Sequence, residues 1–232
     1  MIGGSKMPES YTRDEMNQRI QRAKYAAHCA ENYRIIHKYY CDNRYKLADK
    51  YAIAPGFVSY TDIAVKHGVM IELMKLYDKE GRSLSIHNLY SDCVKNKGLF
   101  HRHLCEKDGK VIDYQIEEVL KRFNAQLKPF KKPLDNLWKQ RNLIWAHTDR
   151  AEGIDPIKVE DNYPITWGEI EDVLFITLSL LQELQDGLKG QRTAERIINA
   201  GDIDNLFAHV KVYLDKESVK SLFIQIDLNM GK

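Results

Sequence analysis

The chain has 232 residues, 44% of them hydrophobic, with 35 basic side chains against 33 acidic ones and a net charge of +2. This is ordinary for a soluble globular protein of one large domain, alone or with an appendage, and it gives no global case for nucleic acid. The longest apolar run, Val173 to Leu181, is interrupted by Thr177 and Ser179 and is too short to cross a bilayer.

The N-terminus lacks an apolar signal-peptide core, and the cysteines Cys29, Cys41, Cys93 and Cys105 show no paired-ligand spacing. The expectation is therefore a cytoplasmic protein with free thiols. Residues 1–10 read as a flexible lead. Residues 11–190 read as one helical domain, and 191–232 read as a C-terminal helical appendage.

Residues 10–50 predict one long helix, or two with a bend. Tyr25, Cys29, Tyr33, Ile36 and Tyr40 form one stripe, and Met16, Ile20, Ala23 and Ala27 form its neighbour. Between Lys38 and Tyr51, tyrosines interleave with basic residues. Such a mixture can stack bases and hold phosphates, but a helix with snorkelling basic edges has the same pattern. Pro55-Gly56 breaks the chain, and a helix from about Ser59 to Asp78 follows. Its stripe of Ile63, His67, Met70, Met74 and Tyr77 marks it as central, with His67 read as a hydrogen-bonded core histidine.

Ser85 is a good N-cap for the next helix, with Leu84 and Leu89 at the staple positions. Ile86, Leu89, Tyr90, Cys93 and Val94 form its buried side. Gly98 and Asp108-Gly109 bracket a poorly patterned piece. In an extended chain its His101, His103 and Cys105 would share one side, as metal ligands could. No fourth ligand is evident, and the expectation is no metal and no cofactor. Residues 111–127 predict a helix with Ile112, Ile116, Val119, Leu120, Phe123 and Leu127 inward, stopped by Pro129. Pro133 then sits near the first turn of another helix, where proline is tolerated.

That helix carries Leu137-Trp138-Lys139-Gln140-Arg141-Asn142-Leu143-Ile144-Trp145-Ala146-His147-Thr148-Asp149. At about 100° per residue, Leu134, Leu137, Trp138, Arg141, Ile144 and Trp145 share a stripe. A guanidinium in such a stripe needs an anionic partner or a wet cleft. His147 follows six residues on, and histidine is the common side chain suited to moving protons near neutral pH. Arginine to hold a phosphate and histidine to move a proton form a minimal kit for cleaving RNA. Six residues turn a regular helix through about 600°, leaving Arg141 and His147 about 120° apart. Either the helix ends near Ala146, or a second copy of the chain completes the site. A purely structural reading also exists, with Arg141 stacked on Trp138 or Trp145 and His147 as a favourable charge at the helix end.

The charge pattern supports a local site. Lys128, Lys131, Lys132 and Lys139 surround the motif as candidate RNA-binding residues, and an acidic stretch follows from Glu152 to Asp172. Two solvated faces that attract each other would look the same. Thr148 to Pro164 shows no regular pattern and could form a lip over the site or an inert excursion. Thr166 and Glu169 form a capping box. Ile170, Val173, Leu174, Leu178, Leu181, Leu184 and Leu188 follow as one long stripe, whose end Gly187 and Gly190 weaken.

The segment Arg141-Asn142-Leu143-Ile144-Trp145-Ala146-His147-Thr148-Asp149 resembles the Arg-x(4–6)-His motif of the HEPN superfamily, and in particular its abortive-infection AbiU-like branch. Leu76-Tyr77-Asp78 followed by Ser83-Leu84-Ser85 resembles the same branch. The resemblance implies an all-α fold, an antiparallel helical bundle with a four-helix core and extra N- and C-terminal helices. It also implies a homodimer whose two motifs face one cleft, and a metal-independent endoribonuclease with Arg141, His147 and Asn142 as catalytic residues. RNA would be the substrate, an antitoxin protein a further partner, and antiphage defence or a toxin–antitoxin pair the setting. The alternative is a non-catalytic dimeric helical module that binds RNA, a nucleotide or a partner protein through the same cleft.

Overall fold

The structure, a computed structural model, describes residues 10–46, 48, 55–78, 85–145 and 156–193. By internal contacts the chain divides into two units, 1–31 with 67–195 and 32–66 with 196–232. The predicted lead up to residue 9, the appendage from 194 onward, Leu84 and His147 fall outside the described residues. Among the described residues the fold is predominantly helical, with one small hairpin.

In the first unit, helix α1 (Arg13–Asn43) opens on a reciprocal cap. Thr12 N–H donates to Glu15 Oε2 at 2.8 Å, and Glu15 N–H donates to Thr12 Oγ1 at 3.2 Å. The buried face of α1 here is Met16, Ile20, Ala23, Ala27 and Ala30. This corrects the sequence reading, which gave the tyrosine stripe equal weight; Tyr25 is 73% exposed. The small alanines leave room for neighbouring helices, whereas tyrosine can lie at a surface with its hydroxyl in water. Lys24 is buried on the same helix, with Nζ donating to Gln182 and Gln185 at 2.6 and 2.8 Å.

Helix α2 (Pro55–Tyr77) begins at Pro55, so the proline opens the helix rather than only breaking the chain. In the first unit it buries Val69, Leu73, Met74 and Leu76. His67 is exposed, contrary to its reading as a core histidine. Helix α3 (Ile86–Lys95) is capped by Ser85, whose Oγ accepts from Asn88 N–H at 3.3 Å. It buries Ile86, Leu89, Asp92 and Cys93, while Val94 is half exposed. Asp92 is satisfied by Arg19 at 2.7 Å. Burial pushes the Cys93 thiol up to about 12.

Residues 111–113, read as the start of a helix over 111–127, form a strand instead, and the helix begins at Ile116. Strands β1 (His103–Cys105) and β2 (Val111–Asp113) pair antiparallel, with Leu104 opposite Ile112. Asp108 and Gly109 make the turn, Gly109 at φ 83°. Strand propensity of Val-Ile and the preceding Asp-Gly decide this locally. His103 Nδ1 lies 3.1 Å from Asp113, and His101 Nε2 lies 3.1 Å from Arg13. The two imidazoles thus serve separate contacts, and no group of metal ligands forms among the described residues.

Helix α4 (Ile116–Leu127) packs along α7 (Trp167–Lys189) through Ile116, Val119, Leu120 and Phe123. Thr166 and Glu169 form the expected capping box. The predicted apolar stripe of α7 is buried apart from the partly covered Leu178. Gly187 and Gly190 do more than weaken the helix end. The Tyr114 ring occupies the place where a Cβ of residue 187 would stand, and Gly190 closes the helix at φ 68°.

Two apolar clusters result. One gathers α1, α3, α4 and the C-terminal half of α7; the other gathers Ala30, Val69, Leu73, Met74, Leu137, Ile170, Val173 and Leu174.

In the second unit, residues 32–43 of α1 and 55–66 of α2 share a part-buried cluster of charged groups. His37 Nδ1 lies 2.7 Å from Asp62 Oδ1, and Lys66 donates to the other oxygen at 2.8 Å. Tyr45 is 92% exposed, and Lys38 pairs with Asp42 along the helix.

Candidate active site

Helix α4 stops at Leu127, just before Pro129, as read, and helix α5 (Lys131–Gln140) follows through one 3-10 turn, Lys128–Phe130. The buried face of α5 is Pro133, Asn136, Leu137 and Gln140. Leu137 anchors it in the second cluster. The two amides are fastened to the chain that returns after the site. Asn136 Nδ2 donates to Pro164 O at 2.8 Å and Gln140 Nε2 to Tyr163 O at 2.6 Å. Lys139 Nζ lies 4.8 Å from the centre of the Tyr163 ring. These amides were not singled out from the sequence. The signal was present as two amide residues four apart on the face of a helix that also carries Leu137, a position where buried polar groups need partners.

The predicted stripe divides. Leu137 faces the core, Leu134 is half buried, and Trp138 is 38% exposed. Beyond Gln140 the helix changes character, because Arg141–Trp145 forms a π turn. Arg141 N–H reaches both Leu137 O and Trp138 O as the switch begins. A π turn bonds to the fifth residue back, so arithmetic at 100° per residue fails from Arg141 onward. Such single turns recur at functional sites because they re-aim a side chain without ending the helix.

Arg141 is half buried on this turn. Its Nη1 donates to Asn142 Oδ1 at 3.1 Å, which biases the guanidinium plane. Among the described residues no carboxylate pairs with Arg141. The turn also contacts α6 (Pro156–Asn162), a short helix inside the stretch read as patternless. Pro156 starts α6, and Val159 buries its inner side. The flanking Ala146–Asp155, which includes His147 and Asp149, lies outside the described residues.

Lys128, Lys131, Lys132 and Lys139 are all exposed. Around the axis of α5, Lys132 and Lys139 lie about 160–180° from Arg141. Lys131 lies closer to the Arg141 side, beside Leu134 and Trp138, where it lines a cleft of about 500 Å³. The basic residues thus divide between two edges of one exposed face.

A family model for AbiU2, a HEPN family, matches residues 15–210. The chain belongs to the AbiU2 family of HEPN proteins. No protein of curated function and no solved structure matches it. The match spans helices α1 to α7 of this HEPN module, the π turn at Arg141–Trp145 included. No helix among the described residues of the AbiU2 chain is long and apolar enough to cross a membrane.

Proposed function

We propose that this AbiU2-family chain is a metal-independent endoribonuclease that acts as a homodimer in antiphage defence or as a toxin. The observation that carries the reading is Arg141: half buried, steered by Asn142, and facing no carboxylate among the described residues. A guanidinium held in that state is suited to a phosphate, which it meets with paired N–H donors. Membership of a HEPN family supplies the expectation that an RNA phosphate is the target.

In the reaction, the ribose 2′-oxygen attacks the adjacent phosphorus in line, and the bond to the 5′-oxygen breaks. The products are a 2′,3′-cyclic phosphate and a 5′-hydroxyl. His147 takes the proton from the 2′-hydroxyl, and the same histidine of a second copy delivers a proton to the leaving 5′-oxygen. Arg141 neutralises the negative charge that builds on the non-bridging oxygens. Asn142 holds Arg141 in place. The nucleophile belongs to the substrate, so the protein's task is positioning and proton transfer. Single-stranded or looped RNA fits best, since its backbone can reach the in-line geometry.

The test uses purified full-length protein, a metal chelator and end-labelled single-stranded RNA. The expected result is cleavage leaving cyclic phosphate ends, lost in Arg141→Ala and His147→Ala. Equal cleavage by wild type and both variants overturns the assignment. Tight RNA binding by wild type without turnover replaces it with a non-catalytic binding module.

A further inference from the structure

The cleft of about 500 Å³ between α3, α4 and α5 takes no part in the chemistry assigned to Arg141. Its floor is apolar, made by Ile86, Phe123 and Leu127, and Trp138 lies along one side with 38% of its surface exposed. An exposed indole beside an apolar hollow is a stacking platform for a flat ring. Trp138 and Arg141 are three residues apart on one helix, which places them as neighbours about 5–6 Å apart at Cβ. A single sugar separates a nucleobase from its phosphate, so one nucleotide can reach both. Lys131 lines the same cleft, two helical turns from Trp138 and about 10 Å along the axis.

We infer that this cleft is a nucleobase subsite: the base beside the scissile phosphate stacks on Trp138 while Arg141 holds the phosphate. The inference rests on the proposed RNA chemistry at Arg141. It adds a selectivity. The rim carries the carboxylates of Asp78 and Asp135. Ionised carboxylates only accept hydrogen bonds, and each has about four acceptor positions, so capacity remains whatever else they bond. They favour bases that present an exocyclic amino group, namely adenine, cytosine and guanine. Uracil offers carbonyl oxygens on both sides of its single ring N–H and is disfavoured. The same carboxylates repel a phosphate, which keeps the backbone outside the cleft on the Arg141 side.

The experiment measures binding rather than turnover, so that it stands apart from the nuclease assignment. Full-length protein is titrated with short 2′-O-methyl oligonucleotides of A, C or U, in which the attacking hydroxyl is blocked. The expected result is about tenfold weaker binding of the U oligomer than of the A and C oligomers. Trp138→Ala weakens A and C binding about tenfold or more, Trp138→Phe retains most of it, and Asp78→Asn with Asp135→Asn erases the discrimination against U. The same pattern in a His147→Ala background, inactive in cleavage, separates the subsite from catalysis. Equal binding of all three oligomers, no binding of any, or indifference to Trp138→Ala overturns the inference. So does a Trp138→Ala protein that loses self-association while keeping its oligonucleotide affinity, which makes the cleft a contact between copies.

Discussion

Gln140 Nε2 donates to the backbone carbonyl of Tyr163 across 2.6 Å, joining the last turn before Arg141 to the chain that returns from the far side of the site. Asn136 does the same for Pro164 one turn earlier. Both side chains are buried, so each replaces water for a carbonyl that would otherwise lack a partner. Asn136→Ala and Gln140→Ala are each expected to lower stability by about 1–3 kcal/mol, the usual cost of a buried polar group left unsatisfied. Urea unfolding followed by circular dichroism measures this. Midpoints equal to wild type would show that the two bonds do not hold the site.

Arg141 acts on the substrate and Asn142 acts on Arg141, so their variants should differ in degree. Arg141→Ala is expected to reduce the cleavage rate by about 10²–10³, the usual loss for one donor to a developing charge. Arg141→Lys should recover little, since an ammonium lacks the planar fork. Asn142→Ala is expected to cost about tenfold, through orientation alone. Initial rates on one RNA substrate, with melting temperatures near wild type, check the order. An Asn142→Ala loss as large as that of Arg141→Ala would give Asn142 a direct role.

The Tyr114 ring lies where a side chain at 187 would begin, and its hydroxyl donates to Glu183 O at 3.1 Å. Gly187→Ala therefore forces the ring or helix α7 aside. The expected cost is about 1–3 kcal/mol, as for other overpacked cores. Combining it with Tyr114→Leu should cost less than the two separate losses added together, because the clash partner is gone. Additive losses in a double-mutant unfolding cycle would place the strain elsewhere.

Burial by itself would raise the Asp62 carboxyl. The hydrogen bonds and positive charges of Lys66 and His37 outweigh burial and hold it below the ordinary carboxylate range. Its folded value is thus depressed. The stability it contributes is present above the unfolded value and is lost as pH falls through the folded one. Wild type should melt above Asp62→Asn at pH 6, and the gap should close below about pH 4. A gap that stays constant to pH 3 would mean that ionisation of Asp62 does not contribute.

Much of the fold was legible because helix periodicity and capping are local. Ser85, Thr166 with Glu169, and the Ile170–Leu188 stripe hold in the structure as read. Where two stripes competed on α1, periodicity could not choose between them. The choice went to the face whose alanines let other helices approach. His67 failed for a related reason, since its place on a stripe says nothing about how wide an arc the neighbours cover.

By itself the sequence determined the helical architecture, the motif that places Arg141 beside Asn142, and the HEPN family to which these belong. Those properties follow from residue order within a few turns. Only the tertiary structure decided that the helix loosens into a π turn at Arg141, that Trp138 borders a cleft, and that Asn136 and Gln140 secure the returning chain. The cleft and the two amide bonds depend on atoms from segments distant in sequence, which residue order within a few turns cannot supply.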